Sequence, residues 1–292
     1  MKVSIASGKG GTGKTMVTSS LATSWNGPVV AVDLDVEEPN LHLFLKPTII
    51  DSHKAVLEIP QVDETRCDYC RQCAELCQFK AISVLNKVIM VFAEMCHGCG
   101  GCIAVCPQKA ILPDQRILGE ISWGESKSIG FLMGRLRVGE AMSPPLIRQV
   151  QAELSSQDTF SAEADVLFDA PPGVSCPAVS AVLESDVIVL VTEPTPFGLF
   201  DLRLAHQAFM PLGKPMGVVI NRSGLGNDEI YHFCGKIKLP ILAEIPYQRE
   251  IAQAYAKGEI IARHSPQMED LFSKLVEKIC QLPAQQQEVR NA

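Results

Sequence analysis

Eight of the chain's eleven cysteines fall into two matching runs, Cys67-x-x-Cys70-x-x-Cys73-x-x-x-Cys77 and Cys96-x-x-Cys99-x-x-Cys102-x-x-x-Cys106-Pro107. Thiols this closely spaced stay near one another, so they restrict the folds open to the segment that carries them. Each run ends in the same tripeptide, Lys80-Ala81-Ile82 after the first and Lys109-Ala110-Ile111 after the second. Residues 60–115 therefore read as an internal duplication. The N-terminal residues run straight into an apolar strand with no leader of charged and then apolar residues, which predicts a cytoplasmic chain. Cysteines in such a chain hold metal as thiolates and do not pair as disulfides.

Outside that segment, Gly8-Lys9-Gly10-Gly11-Thr12-Gly13-Lys14-Thr15 lies between an apolar strand at Val3–Ala6 and a helical pattern at Lys14–Trp25. This is the setting in which a glycine-rich loop binds phosphate. The glycines permit tight turns that converge backbone N–H groups on phosphate oxygens. Lys14 supplies a charge toward the β- and γ-phosphates, and Thr15 a hydroxyl for Mg²⁺. Further strands are predicted at Val29–Val32, Val166–Phe168, Val187–Val191, Gly217–Ile220 and Ile241–Ala243. Helices are predicted at Pro145–Leu154, Gly198–Phe209 and Met268–Cys280. The alternation predicts an α/β fold, a mostly parallel sheet with helices on both faces and ligands at the carboxyl ends of the strands. The expected division is a P-loop nucleotide domain of residues 1–59 plus 116–292, with residues 60–115 inserted as a small α+β domain.

The chain has 292 residues, 47% of them hydrophobic and 20% charged, enough for one large and one small core. A formal net charge of −7 argues against a general nucleic-acid binder, which carries a basic stripe. No apolar run is long enough to span a bilayer. The last helical pattern, Glu269 to Cys280, mixes acids with bases, unlike a basic membrane anchor. Neither nucleic acid nor membrane is expected as a partner.

The cysteine runs resemble those of bacterial ferredoxins with two [4Fe–4S] clusters. In that pattern the fourth cysteine of each run serves the opposite cluster. Cys67, Cys70, Cys73 and Cys106 would then hold one cluster, and Cys96, Cys99, Cys102 and Cys77 the other. Tetrahedral zinc also takes Cys-x-x-Cys pairs, but four-cysteine runs with a trailing Pro107 weigh against it. Gln78 replaces the proline expected after Cys77, which would loosen that corner without removing a ligand.

The phosphate loop, with its second lysine at Lys9, resembles that of the MinD/ParA/Mrp group of ATPases, and in particular the subfamily with an inserted ferredoxin domain. The segment Gly134 to Gln149 shares in that similarity. Asp33-Leu34-Asp35 stands where the group has switch I, and Asp169-Ala170-Pro171-Pro172-Gly173 where it has switch II. Asn221-Arg222 stands where the group reads adenine, and Ile245-Pro246-Tyr247 where it lines the base pocket. The resemblance implies ATP and Mg²⁺ as ligands. The nucleotide would be held by Gly8 through Met16 with Asn221, Arg222, Pro246 and Tyr247, and magnesium by Thr15, Asp33 and Asp169. It implies a homodimer in which Lys9 reaches the partner's nucleotide, Asp35 orienting the attacking water, and slow hydrolysis stimulated by a partner. For Asp33 a plainer reading stands beside this one, since an acid ending a strand can cap the next segment.

Three cysteines remain. Cys280, placed with Leu271, Leu275, Val276 and Ile279, reads as core, and Cys234 as structural. Cys176, three residues past Gly173, reads first as a small buried thiol opening a helix; the alternative is a cysteine near switch II that bridges a cluster between subunits, as in the nitrogenase iron protein of the group, whose spacing differs. Together the two modules predict an ATPase that couples nucleotide state to electron transfer or to metallocluster and cofactor assembly. Its partner would be a redox or metallocofactor-assembly protein. Two other readings stay open: a MinD-like spatial or cell-division organiser with ancillary or sensory clusters, and an Mrp-type cluster carrier. The carrier's usual Cys-x-x-Cys is missing outside the insert.

Overall fold

Short apolar segments alternating with amphipathic ones form a layered α/β structure in the computed structural model, which describes residues 1–156 and 160–291. β1 (Lys2–Ala6) leads into α1 (Lys14–Ser24), and β2 (Val29–Asp33) into α2 (Leu41–Leu45). The cysteine region follows as β3 (Thr48–Val62), α3 (Gln72–Leu76), β4 (Ile82–Leu85), β5 (Val88–Val91), α4 (Gly101–Val105) and β6 (Ile111–Ser126). Next come β7 (Ile129–Leu136), α5 (Ser143–Ser156), β8 (Asp165–Asp169), α6 (Cys176–Leu183), β9 (Val187–Thr192) and α7 (Pro196–Phe209). The chain ends with β10 (Met216–Ser223), α8 (Glu229–Lys236), β11 (Ile241–Pro246), α9 (Arg249–Ala256) and α10 (Pro266–Asn291). It divides into two compact units, one of residues 1–52, 121–135 and 147–292, the other of 53–120 and 136–146.

In the first unit the strands run in the order β11-β10-β9-β1-β8-β2-β7, and β6 and β3 continue the sheet order. β1, β2, β7, β8, β9, β10 and β11 pair in parallel, with Val3 opposite Leu167 and Asp33 opposite Asp169. Parallel strands buried on both faces read as continuous apolar runs, which is why β9 shows no exposed residue. α1 is buried from Lys14 to Ala22, so it is a central helix with no solvent stripe. The core joins Ile5, Leu21, Phe131, Leu167, Val189 and Phe272. The first seven residues of β3 are exposed, so no apolar periodicity announced that strand.

α10 packs Met268, Phe272, Leu275, Val276, Ile279 and Leu282 into this core. Cys280 is exposed, against expectation. At about 100° per residue it falls just outside the stripe that Phe272, Ile279 and Val276 define. Cys234 is buried in α8. No helix among the described residues is long and apolar enough to cross a membrane.

The second unit holds a small core of Cys73, Ile82, Val84, Ile89 and Ile111, with Cys67, Cys77, Cys102 and Cys106 packed against it. β4 and β5 form an antiparallel hairpin, Ile82 opposite Val91. Residues 136–146 belong to this unit, and a charge network explains how. Buried Arg116 pairs with buried Glu140 and reaches Glu94 at 3.3 Å, while Arg137 lies 2.8 Å from Glu94. Burial and the two guanidinium groups act in opposite senses on Glu140, and its carboxyl ends up below the usual range.

Replacing Phe272, which has no exposed surface, tests the α10 packing. Phe272→Ala should destabilise the protein by about 3–5 kcal/mol, read from the urea midpoint at constant m-value.

Candidate functional site

The loop after β1 takes its shape from two glycines. Gly13, at φ 98°, caps α1, and a Cβ there would lie 2.4 Å from the Asn221 Nδ2. A Cβ on Gly8 would lie 2.1 Å from the Asp201 carbonyl oxygen. Ser7 closes the loop, its hydroxyl donating to the Lys9 carbonyl at 2.6 Å and its carbonyl accepting from the Gly173 N–H at 2.9 Å. The Thr12 hydroxyl is buried without a protein partner. That orphan, beside the free N–H groups that open α1, is a donor set an anion satisfies.

Lys14 and Thr15 are buried at the start of α1. Thr15 Oγ1 donates to Asp169 Oδ2 at 2.6 Å. Thr18, one turn on, places its hydroxyl 3.1 Å from Asp169 Oδ1 and 3.0 Å from the Lys14 carbonyl. Thr18 was not foreseen; a second threonine one helical turn past Lys14 was the available signal. Burial pushes the Asp169 carboxyl up, against the pull of Lys14 and the two threonines.

The β2–β8 register sets Asp33 directly beside Asp169. Asp33 Oδ2 accepts from Asn40 N and Leu41 N at 2.9 Å each, and Oδ1 from Asp35 N at 3.1 Å. Asp33 thus caps α2, as its plainer reading had it. Burial, then the charge of Asp169, holds its carboxyl well above the usual range. The Asp35 carboxyl is pushed up to about 6 by burial, with Lys14 opposing and Asp169 adding. Thr15 and Asp169 offer hard oxygen donors suited to Mg²⁺, with Asp33 adjacent but engaged by three backbone N–H groups.

A cavity opens beside the loop, lined by Gly11, Gly13, Met16, Asn221, Arg222, Pro246 and Tyr247. Asn221 Nδ2 donates to the Thr12 carbonyl at 2.8 Å, tying the end of β10 to the phosphate loop. Gln248 and Tyr255 of the α9 region also line the cavity. Tyr255 stacks on Phe44, ring centroids 5.2 Å apart. Sequence reasoning missed both, although an amphipathic helix directly after Pro246-Tyr247 pointed there. Lys9 is turned onto its own chain, 2.6 Å from Glu193. Cys176, expected to be buried, is exposed at the start of α6.

In the second unit Cys67, Cys70, Cys73 and Cys106 line one cavity, and Cys77, Cys96, Cys99 and Cys102 another. The repeated Lys-Ala-Ile has a clear role. Lys80 and Lys109 both adopt positive φ. That turn directs the Ala81 and Ala110 N–H groups at Cys77 Sγ and Cys106 Sγ, 3.3 Å each, and Ile82 and Ile111 into the core. Gln78 does not disturb its corner: Cys77 and Cys106 have nearly the same backbone angles, −67°, 106° and −69°, 110°. Burial pushes the Cys73 thiol up, as do Cys70, Cys106 and Cys67 around it. Cys102 is pushed to about 11 by burial and by Cys96 and Cys99. The cysteines line these cavities among other residues, and among the described residues no three His, Cys, Asp or Glu side chains are grouped to hold a single ion.

The family model of the CobQ/CobB/MinD/ParA nucleotide binding domain matches residues 3–261. The chain belongs to this family. It is a P-loop ATPase of the CobQ/CobB/MinD/ParA type. An uncharacterized protein of Methanocaldococcus jannaschii is 29% identical over 289 residues, 96% of each chain. The septum site-determining protein MinD complexed with Mg-ADP from Pyrococcus horikoshii shares the fold, with TM-score 0.59 and 22% identity over 97% of this chain and 96% of that one. One component of the ion-translocating oxidoreductase complex of Methanosarcina acetivorans is 38% identical over 60 residues, 20% of this chain and 23% of that protein.

Lys14→Ala should lower ATP hydrolysis by about 10²–10³-fold, the size of losing one preorganised charge at a developing anion. Phosphate release measures it, and an unchanged thermal midpoint shows that the fold survives.

Proposed function

We propose that this chain is an ATP-switched protein carrying two [4Fe–4S] clusters, in which nucleotide state governs electron transfer or the handling of a metallocofactor. The observation that carries this reading is the sharing of cysteines between the cavities. Each cavity is lined by three cysteines of one run and the fourth of the other, the arrangement of two-cluster ferredoxins. The ferredoxin-like insert, expected over residues 60–115, is taken to lie within the unit of 53–120 and 136–146, and the ATPase domain to be the unit of 1–52, 121–135 and 147–292.

The donor set fits such clusters. A single tetrahedral zinc needs four sulfurs only about 3.8 Å apart, given its bond length of about 2.3 Å, whereas thiols ranged around a cavity suit a polynuclear group. The N–H groups of Ala81, Gly98 and Ala110 aim at Cys77, Cys96 and Cys106 sulfurs, and such bonds tune a cluster's potential. When bound, the clusters supply one-electron chemistry. A relative that is by name part of an oxidoreductase complex supports the redox reading.

On the nucleotide side Lys14 meets the phosphates, and Thr15 and Asp169 hold Mg²⁺ with Asp33 beside them. Asp35 orients the attacking water, and Asn221, Arg222, Pro246 and Tyr247 receive the base. Lys9 acts on the nucleotide of a second copy in an ATP-dependent homodimer. Hydrolysis stays slow until a redox or assembly partner docks. From Met268 to Leu282 the apolar face of α10 is packed into the core, which supports the reading that this helix does not bind a membrane.

Anaerobically purified protein should contain about eight iron and eight sulfide per chain, with reduced-cluster EPR signals that change between ADP and a slowly hydrolysed ATP analogue. Cys77→Ala should remove the signal of the cluster held by Cys96, Cys99 and Cys102 and spare the other. Zinc in place of iron, or clusters indifferent to nucleotide, would sink the reading.

A further inference from the structure

Lys9 is not free within the single chain. Its ammonium lies 2.6 Å from Glu193 Oε1 and 4.0 Å from Asp201 Oδ2. The other oxygen of Glu193, Oε2, takes Arg222 Nη1 at 2.9 Å, and Arg222 Nη2 reaches the Gly11 carbonyl at 3.4 Å. One carboxylate therefore holds the loop lysine and a residue that lines the base cavity.

Strand register builds this arrangement. Ile220 of β10 pairs with Thr192 of β9, so Glu193, just past β9, and Arg222, near the end of β10, emerge side by side. Arg222 adopts φ 55°, a left-handed conformation uncommon for a residue with a side chain, where the β10–β11 ladder shifts register. The Glu193 side chain is only 11% exposed, against 31% for Lys9 and 47% for Arg222. A carboxylate so enclosed is costly to leave unpaired. With both cations present, Lys9 can depart while Arg222 keeps Glu193 paired.

We propose that Glu193 is a positioning residue for the ATPase, parking Lys9 on its own chain until ATP and a second copy compete for it, with Arg222 making the release possible. This rests on the reading of Lys9 as the residue that reaches across the dimer. A lysine held by its own chain has to leave that carboxylate before it can meet another nucleotide. The parked state therefore raises the ATP concentration needed for dimerisation. Arg222 has a separate duty, because without it the departure of Lys9 would strand a buried charge.

The test reads Lys9 directly. In nucleotide-free protein, acetylation of Lys9 by an N-hydroxysuccinimide ester, followed by peptide mass spectrometry, should be about tenfold faster in Glu193→Gln, the size of one charge-assisted hydrogen bond. Glu193→Asp should restore slow labelling, and Arg222→Gln should slow it below that of the unaltered protein. By sedimentation, Glu193→Gln should also dimerise at about one tenth of the ATP-analogue concentration, and Lys9→Ala should not hydrolyse ATP. Unchanged labelling in Glu193→Gln overturns the proposal. So does faster labelling with an unchanged concentration dependence while Lys9→Ala is inactive, since parking would then gate nothing. Normal hydrolysis by Lys9→Ala overturns the cross-dimer reading itself, and the labelling still reports separately whether Glu193 holds the lysine.

Discussion

Two carboxylates lie buried side by side at the ends of β2 and β8, and the nucleotide site is organised around them. Parallel pairing sets Asp33 opposite Asp169, where burial and mutual repulsion both disfavour charge. The surroundings offset that cost residue by residue. Thr15 and Thr18 of α1 donate to Asp169, the charge of Lys14 favours its ionised form, and the backbone of the β2–α2 connection donates to Asp33. The position of α1 and the start of α2 therefore follow from the need to satisfy two acids. A phosphate and its cation would enter a site already arranged for charge.

The two units rest on different physics. The first has a large apolar core in which α1 and α10 are held by side chains such as Phe272 and Leu21. The second has few buried aliphatic residues, and cysteines occupy much of its interior. A core that small supplies little stability by itself and calls for a staple. The thiols also disfavour one another's ionisation, as Cys73 and Cys102 show. A metal group that takes them as thiolates removes both difficulties at once.

The strands of the first unit and the phosphate loop were legible because buried parallel strands are continuous apolar runs and the loop is a contiguous motif. β3 was not, since its first half is exposed. Cys280 was misjudged as buried because helical spacing fixes a face only to within one residue's rotation; Cys176 was read as buried from the general habit of small thiols, with no periodicity behind it, and is exposed. Residues 136–146 were expected in the nucleotide domain but fall in the second unit, where Arg137 and Glu140 join a charge network with Arg116 and Glu94, residues distant in sequence.

The sequence by itself determined the chemistry: eight thiols in two runs, a phosphate loop with two lysines, and acids at the ends of predicted strands. Local spacing sufficed, because those groups act through residues a few positions apart. Only the tertiary structure decided which groups meet. It set Asp33 beside Asp169, Glu193 between Lys9 and Arg222, and Tyr255 at the base cavity. Each of these depends on strand register or chain reversal over many residues, and a slip of one residue would turn the side chain to the other face.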